Sequence, residues 1–174
     1  MTVTRLDLTR ISLMDALDLA SLVEEEAHER YLELADQMDK HRTPEAAAFF
    51  RFMAENEAKH GAALHERRRA RFGEAPRQVT RAMLFDVEAP EYHEARAFMT
   101  AREALGVALR CEEKAYAFFV EALPGIQDAE VKALFDELAA EEVTHQDLVR
   151  RELLRLPNGG PAEGDAFVDE PTAQ

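Results

Sequence analysis

The sequence predicts an all-α protein: a four-helix bundle built from two repeated helical hairpins with a long crossover connection. Two observations carry this. First, the chain repeats itself. Residues 16–35, ALDLASLVEEEAHERYLELA, align with 104–123, ALGVALRCEEKAYAFFVEAL, at an offset of 88. Residues 50–64, FRFMAENEAKHGAAL, align with 135–149, FDELAAEEVTHQDLV, at an offset of 85. Second, breakers are scarce: 7 Gly, 7 Pro and no Trp in 174 residues favour helices over a sandwich of short strands.

Each helix has its own start and stop. Ser12 with Asp15 three residues on resembles a capping box, and apolar spacing then runs to about residue 40. Thr43-Pro44-Glu45 opens a second helix with a hydroxyl cap, a proline in the first turn and an acid near the positive pole. Gly73 is a natural left-handed end for it. Arg67, Arg68, Arg69 and Arg71 near that end read as a solvated terminus favoured by the helix dipole, rather than as a nucleic-acid patch. Thr100-x-x-Glu103 announces a third helix that stops at Pro124-Gly125, and Asp128 caps a fourth that ends near Leu156.

The short links make helices 1 and 2, and helices 3 and 4, antiparallel neighbours. The stretch 74–99 can span about 85 Å extended, and a 29-residue helix is about 43 Å long, so the linker reaches the length of the bundle. The expectation is that repeat two packs parallel to repeat one about a pseudo-twofold axis. Ala82-Met83-Leu84-Phe85 and Tyr92 are expected to pack on the bundle as short helical turns. One domain covers 1–156, and the Pro/Gly-rich acidic segment 157–174 is expected to be a disordered tail.

Composition narrows the function. A net charge of −14 argues against nucleic acid, whose phosphates demand a basic face. The single cysteine, Cys111, excludes an internal disulfide and a Cys-x-x-Cys knuckle. No run reaches signal-peptide or membrane-span length, so a soluble cytoplasmic protein with no membrane partner is expected.

The repeats also align chemistry. Glu24 falls on Glu112, Glu57 on Glu142 and His60 on His145, so each half carries one Glu and then a Glu-x-x-His. A four-helix bundle uses two Glu and two Glu-x-x-His to hold two metal ions. By helical spacing, Glu24, His28 and Tyr31 share the stripe of Leu17 and Ala20, and Glu112, Tyr116 and Phe119 that of Leu105 and Ala108. Glu57 and His60 lie with Phe50, Met53 and Leu64, and Glu142 and His145 with Phe135, Leu138 and Val149.

A lone Glu-x-x-His carries little weight, since three of the six histidines have one. Weight comes from its coincidence with the repeat and from acids placed inside apolar stripes. An uncompensated buried carboxylate costs several kcal/mol or takes up a proton. Two divalent cations balance four carboxylates, whereas a metal-free bundle would have to turn its acids outward. Carboxylate and imidazole without thiolate suit iron or manganese and accept zinc.

His28 is either an extra ligand or proton donor, or a hydrogen-bonded core histidine. Tyr31 and Tyr116 either orient ligand carboxylates or act as redox neighbours, with simple packing as the alternative. Asn56 and Glu141, each just before a ligand Glu, are weaker candidates around the ligands. Cys111 is expected to be a buried, inert thiol.

EEEAHERY (24–31), AENEAKH (54–60), CEEKAYAFF (111–119) and AAEEVTH (139–145) together resemble the rubrerythrin branch of the ferritin-like superfamily, over roughly residues 14–155. The resemblance implies a ferritin-like bundle with two iron ions per chain: Glu57 and Glu142 bridging, Glu24 and Glu112 terminal, His60 and His145 each on one iron. It implies reaction with hydrogen peroxide or dioxygen; with no second redox centre in the sequence an external electron donor is expected, and a homodimer or higher homo-oligomer is expected as well. The alternative is ferritin-like iron storage with ferroxidase activity. Two features depart from the branch: there is no four-cysteine rubredoxin-like domain, and Ala115 stands where many members have a further carboxylate.

Overall fold

A computed structural model describes residues 7–83 and 99–157 of the chain. Four long helices carry it: α1 (Leu13–Lys40), α2 (Pro44–Phe72), α3 (Ala101–Ala122) and α4 (Ala129–Arg155). Short 3-10 turns sit at Leu8–Arg10 and Arg81–Met83. Among the described residues no helix is long and apolar enough to cross a membrane.

The helix starts follow local chemistry. Ser12 Oγ accepts from the Asp15 amide, Thr100 and Glu103 form a reciprocal capping box, and Asp128 accepts from the amides of Glu130 and Val131. Each satisfies amides that the first turn cannot pair internally. Thr43 departs from the pattern: its hydroxyl donates back to the Met38 carbonyl (2.9 Å) and caps nothing, while Arg42 turns the corner at φ 57°. Gly73 ends α2 at φ 60°, but its ψ of −141° is outside the left-handed helical region, in territory that only glycine occupies readily.

Two apolar clusters fix how the hairpins meet. In one, Leu17 and Val23 of α1 pack with Leu64 of α2, Phe119 of α3 and Val131 and Phe135 of α4. In the other, Met38 packs with Phe50, Leu105 and Val149. The start of α1 therefore meets the end of α3, and the end of α1 meets the start of α3. Gly125, in the α3–α4 turn, lies beside Thr9 at the same end.

The second repeat thus runs antiparallel to the first, which corrects the parallel expectation. The reason is the linker itself. Val79 belongs to the first cluster and Met99 to the second, so the two described ends of the connection lie at opposite ends of the bundle. It leaves where α2 ends and delivers α3 from the far end, pointing the other way. The pseudo-twofold axis is perpendicular to the helices.

The Arg run is also not merely a solvated terminus. Arg68 is buried and clamps Asp18, itself fully buried, through Nε to Oδ1 (2.6 Å) and Nη2 to Oδ2 (3.2 Å). Its remaining N–H groups donate to the Gly73 and Ala75 carbonyls (3.2 and 2.7 Å), pinning the start of the linker onto α1 and α2. Arg67 and Arg71 pair with Glu137 and Glu130 of α4. The 3-10 turn at 81–83 matches the turn expected there, whereas Leu84, Phe85, Tyr92 and the tail beyond Pro157 lie outside the described residues.

Candidate metal centre

Between the two apolar clusters lies a polar layer, one residue from each helix at its midpoint. Glu24 (α1), Glu57 (α2), Glu112 (α3) and Glu142 (α4) are all at or below 5 % exposure, as is His145. His60 is half-buried, its side chain 30 % exposed. His60 and His145, equivalent in the repeat, stack on each other across the pseudo-twofold axis, with centroids 5.1 Å apart and planes 10° off parallel.

The ligand atoms converge. His145 Nδ1 is 3.2 Å from Glu57 Oε1, 3.4 Å from Glu112 Oε2 and 3.9 Å from Glu142 Oε2. His60 Nδ1 is 4.0 Å from Glu24 Oε2 and 3.8 Å from Glu141 Oε2. Three overlapping sets each bring one donor atom per residue within 4.8 Å of the others: Glu57–His60–His145, Glu24–His60–Glu141 and Glu112–Glu142–His145. The six candidate ligands read from the repeat are thus brought together, and Glu141 joins them.

Electrostatics without a cation are unfavourable. Burial pushes the Glu24 carboxyl up to about 7 despite its contact with Glu57. Burial and the surrounding Glu24, Glu112 and Glu142 hold Glu57 well above the usual carboxylate range. Burial also acts to raise Glu112, but His145, Glu142 and the Tyr31 hydroxyl outweigh it and the net shift is downward. His145 is the converse: burial disfavours its cation, and Glu112 overrides that and raises it. His60 is lowered, mainly by burial and then by His145.

These residues fit a pair of cations. Glu24 Oε2, Glu57 Oε1, His60 Nδ1 and His145 Nδ1 are buried with no hydrogen-bond partner, although a buried acceptor or donor is almost always paired. All four face the same layer. A cation would satisfy them and displace the protons that the carboxylates otherwise retain.

The other sequence candidates separate. The Tyr31 hydroxyl, buried, donates a short hydrogen bond to Glu112 across the α1–α3 interface. His28 Nδ1 donates to the Ala54 carbonyl at 2.8 Å, which braces α1 on α2. Tyr116 is not brought in: it is 37 % exposed. A step of four residues turns about 40° round the helix, and at that edge α3 faces solvent. Cys111 is buried and forms no disulfide among the described residues.

Two residues escaped the sequence reading. Gln146 is buried and donates to the Glu112 backbone carbonyl (3.3 Å), tying α4 to α3 at the site. Gly61 of α2 faces Glu24 of α1, whose Cβ would lie 3.5 Å from a Cβ placed there. Each is the residue just after a ligand histidine, and that shared position was the available signal.

The sequence pattern of the Rubrerythrin family matches residues 15–153. The chain is similar to the crystal structure of an uncharacterised conserved protein from Magnetospirillum magnetotacticum MS-1, at 31 % identity and a TM-score of 0.69, over 87 % of this chain and 99 % of that one. No curated protein matches the sequence. The fold, the buried Glu/His layer and the family match over most of its length make this chain a member of the rubrerythrin family, with a ferritin-like helical domain.

Proposed function

We propose that the protein is a di-iron carboxylate oxidoreductase of rubrerythrin type, reducing hydrogen peroxide or dioxygen in the cytoplasm. The observation that supports it is the group of buried, partnerless ligand atoms on Glu24, Glu57, His60 and His145. Glu57 and Glu142 would bridge the ions, Glu24 and Glu112 would be terminal, and His60 and His145 would hold one ion each. Two iron ions held there would supply Lewis acidity and two electrons, enough to cleave the O–O bond of peroxide or to take dioxygen to the peroxide level.

The stoichiometry balances. Hydrogen peroxide needs two electrons and two protons to give two waters; a ferrous pair held by these residues would supply the electrons, one each, and an external donor would restore them. The chain's own groups position and insulate. Tyr31 fixes the orientation of Glu112 by donating to it. His28, held by Ala54, keeps α1 against α2 one turn from Glu24. The apolar clusters close the layer on either side, so that solvent reaches it only at the His60 edge.

The test is anaerobic loading with Fe(II), elemental analysis, then stopped-flow addition of limiting peroxide. Two irons per chain and one peroxide consumed per two Fe(II), with turnover sustained only when a reductant is added, is the expected result. No reaction over minutes despite two bound irons would overturn the oxidoreductase reading. Iron uptake far beyond two per chain would instead establish ferritin-like storage.

A further inference from the structure

The internal repeat pairs all six candidate ligands with like residues, but the position next to one pair differs between the halves. The residue before the ligand Glu is Asn56 in the first half and Glu141 in the second. Glu141 does not turn away from the site. Its Oε2 lies 3.8 Å from His60 Nδ1, and Glu24, His60 and Glu141 offer three donor atoms within 4.8 Å of one another. Two of those atoms, Glu24 Oε2 and His60 Nδ1, are buried and have no hydrogen-bond partner, and the Glu24 side chain is only 3 % exposed. The arrangement is therefore a mixed carboxylate–imidazole pocket aimed at one point, not a patch of surface acids.

Exposure distinguishes this side further. The His60 and Glu141 side chains are 30 % and 34 % exposed, whereas those of Glu24, Glu57, Glu112, Glu142 and His145 are all at or below 6 %. The layer thus has one wet edge, and Glu141 stands on it.

We propose that Glu141 is a seventh protein ligand, an exchangeable carboxylate for the cation on the Glu24–His60 side, so that the two metal positions are unequal. This rests on the di-metal reading above. The His60-side ion then has Glu24, Glu141, His60 and the shared Glu57. The His145-side ion has Glu112, His145 and the same Glu57, all buried, and Glu142 bridges the two ions as Glu57 does. A half-exposed carboxylate detaches at small cost, since water replaces it, and so makes room for a small molecule at the edge that solvent already reaches. The fifth carboxylate also brings the ligand charge to −5 against two divalent cations, which favours further positive charge on the ions.

Anaerobic calorimetric titration of the metal-free protein with Mn(II) or Co(II) tests this, with Co(II) absorption reporting coordination. Wild type should bind two ions in two resolvable steps. Glu141→Gln and Glu141→Ala should weaken one step by about ten- to a hundredfold, leave the other within about twofold, and change the Co(II) spectrum of that site alone. Asn56→Ala is the symmetry control and should leave both steps unchanged. Both Glu141 variants should keep the wild-type circular dichroism, because the side chain is part-exposed. Two steps unchanged in both variants would overturn the role of Glu141 and leave the di-metal site standing. No metal bound by wild type would overturn both readings.

Discussion

At the residue scale, position relative to the cations decides how much each ligand matters. A bridging carboxylate serves both ions, so Glu57→Ala or Glu142→Ala should reduce bound iron from two per chain to one or fewer. His28→Ala should retain two, because its ring is committed to the Ala54 carbonyl. Elemental analysis after anaerobic loading measures this, and full occupancy in the Glu57 variant would remove it from the ligand set. Tyr31→Phe deletes the hydroxyl donor from a buried carboxylate, which typically costs about 1–3 kcal/mol. Urea denaturation in the presence of chelator should show a loss of that size. With metal bound the loss should shrink, since the cation then holds Glu112.

At the element scale, the most consequential contact is the clamp of Arg68 on Asp18. Arg68→Ala would leave buried Asp18 with only the more distant Arg77 Nε (3.6 Å) and would free the Gly73 and Ala75 carbonyls. Breaking one side of such a pair costs about 3–5 kcal/mol, whereas replacing both partners with apolar residues of similar volume is often neutral. Arg68→Met combined with Asp18→Leu should therefore recover most of the stability lost in Arg68→Ala, as equilibrium denaturation would show. In the opposite direction, Gly61→Ala should stabilise the protein by about 0.5–1 kcal/mol, because alanine is the better helix former and its methyl meets Glu24 Cβ at an ordinary contact distance.

The caps at Ser12, Thr100 and Asp128 were legible in the sequence because each is settled within three or four residues. The placing of four Glu and two His together was legible because the repeat states it twice. The clamp was not, since Arg68 sits within an arginine run and its partner lies 50 positions earlier. Nor was the antiparallel sense of the repeats, which depends on where a linker lands. Tyr116 misled because helical spacing gives an angle round the helix and says nothing of which neighbour covers it.

For the whole molecule, the buried titratable groups of the Glu/His layer set how stability varies with pH. In the folded, metal-free protein Glu24 keeps its proton up to about 7, whereas the unfolded chain releases it near 4.5. The folded state thus binds more protons in that window, so stability is greatest below 4.5 and is lost as pH rises through 7. At about 1.4 kcal/mol per unit, Glu24 alone accounts for on the order of 3 kcal/mol. Glu57, raised further, and His145, also raised, act with the same sign. His60, lowered, opposes them below 6.5, and Glu112, lowered, contributes only below 4.5. The metal-free protein should accordingly melt at a lower temperature at pH 8 than at pH 5, and Glu24→Gln should flatten that slope. Cations reverse the dependence, because they bind the ionised carboxylates of the native state alone, and their binding strengthens as protons leave. The difference in melting temperature between metal-loaded and metal-free protein should therefore widen steadily from pH 5 to pH 8. Calorimetry on matched samples measures it, and a difference that stays constant with pH would place the cations outside the buried layer.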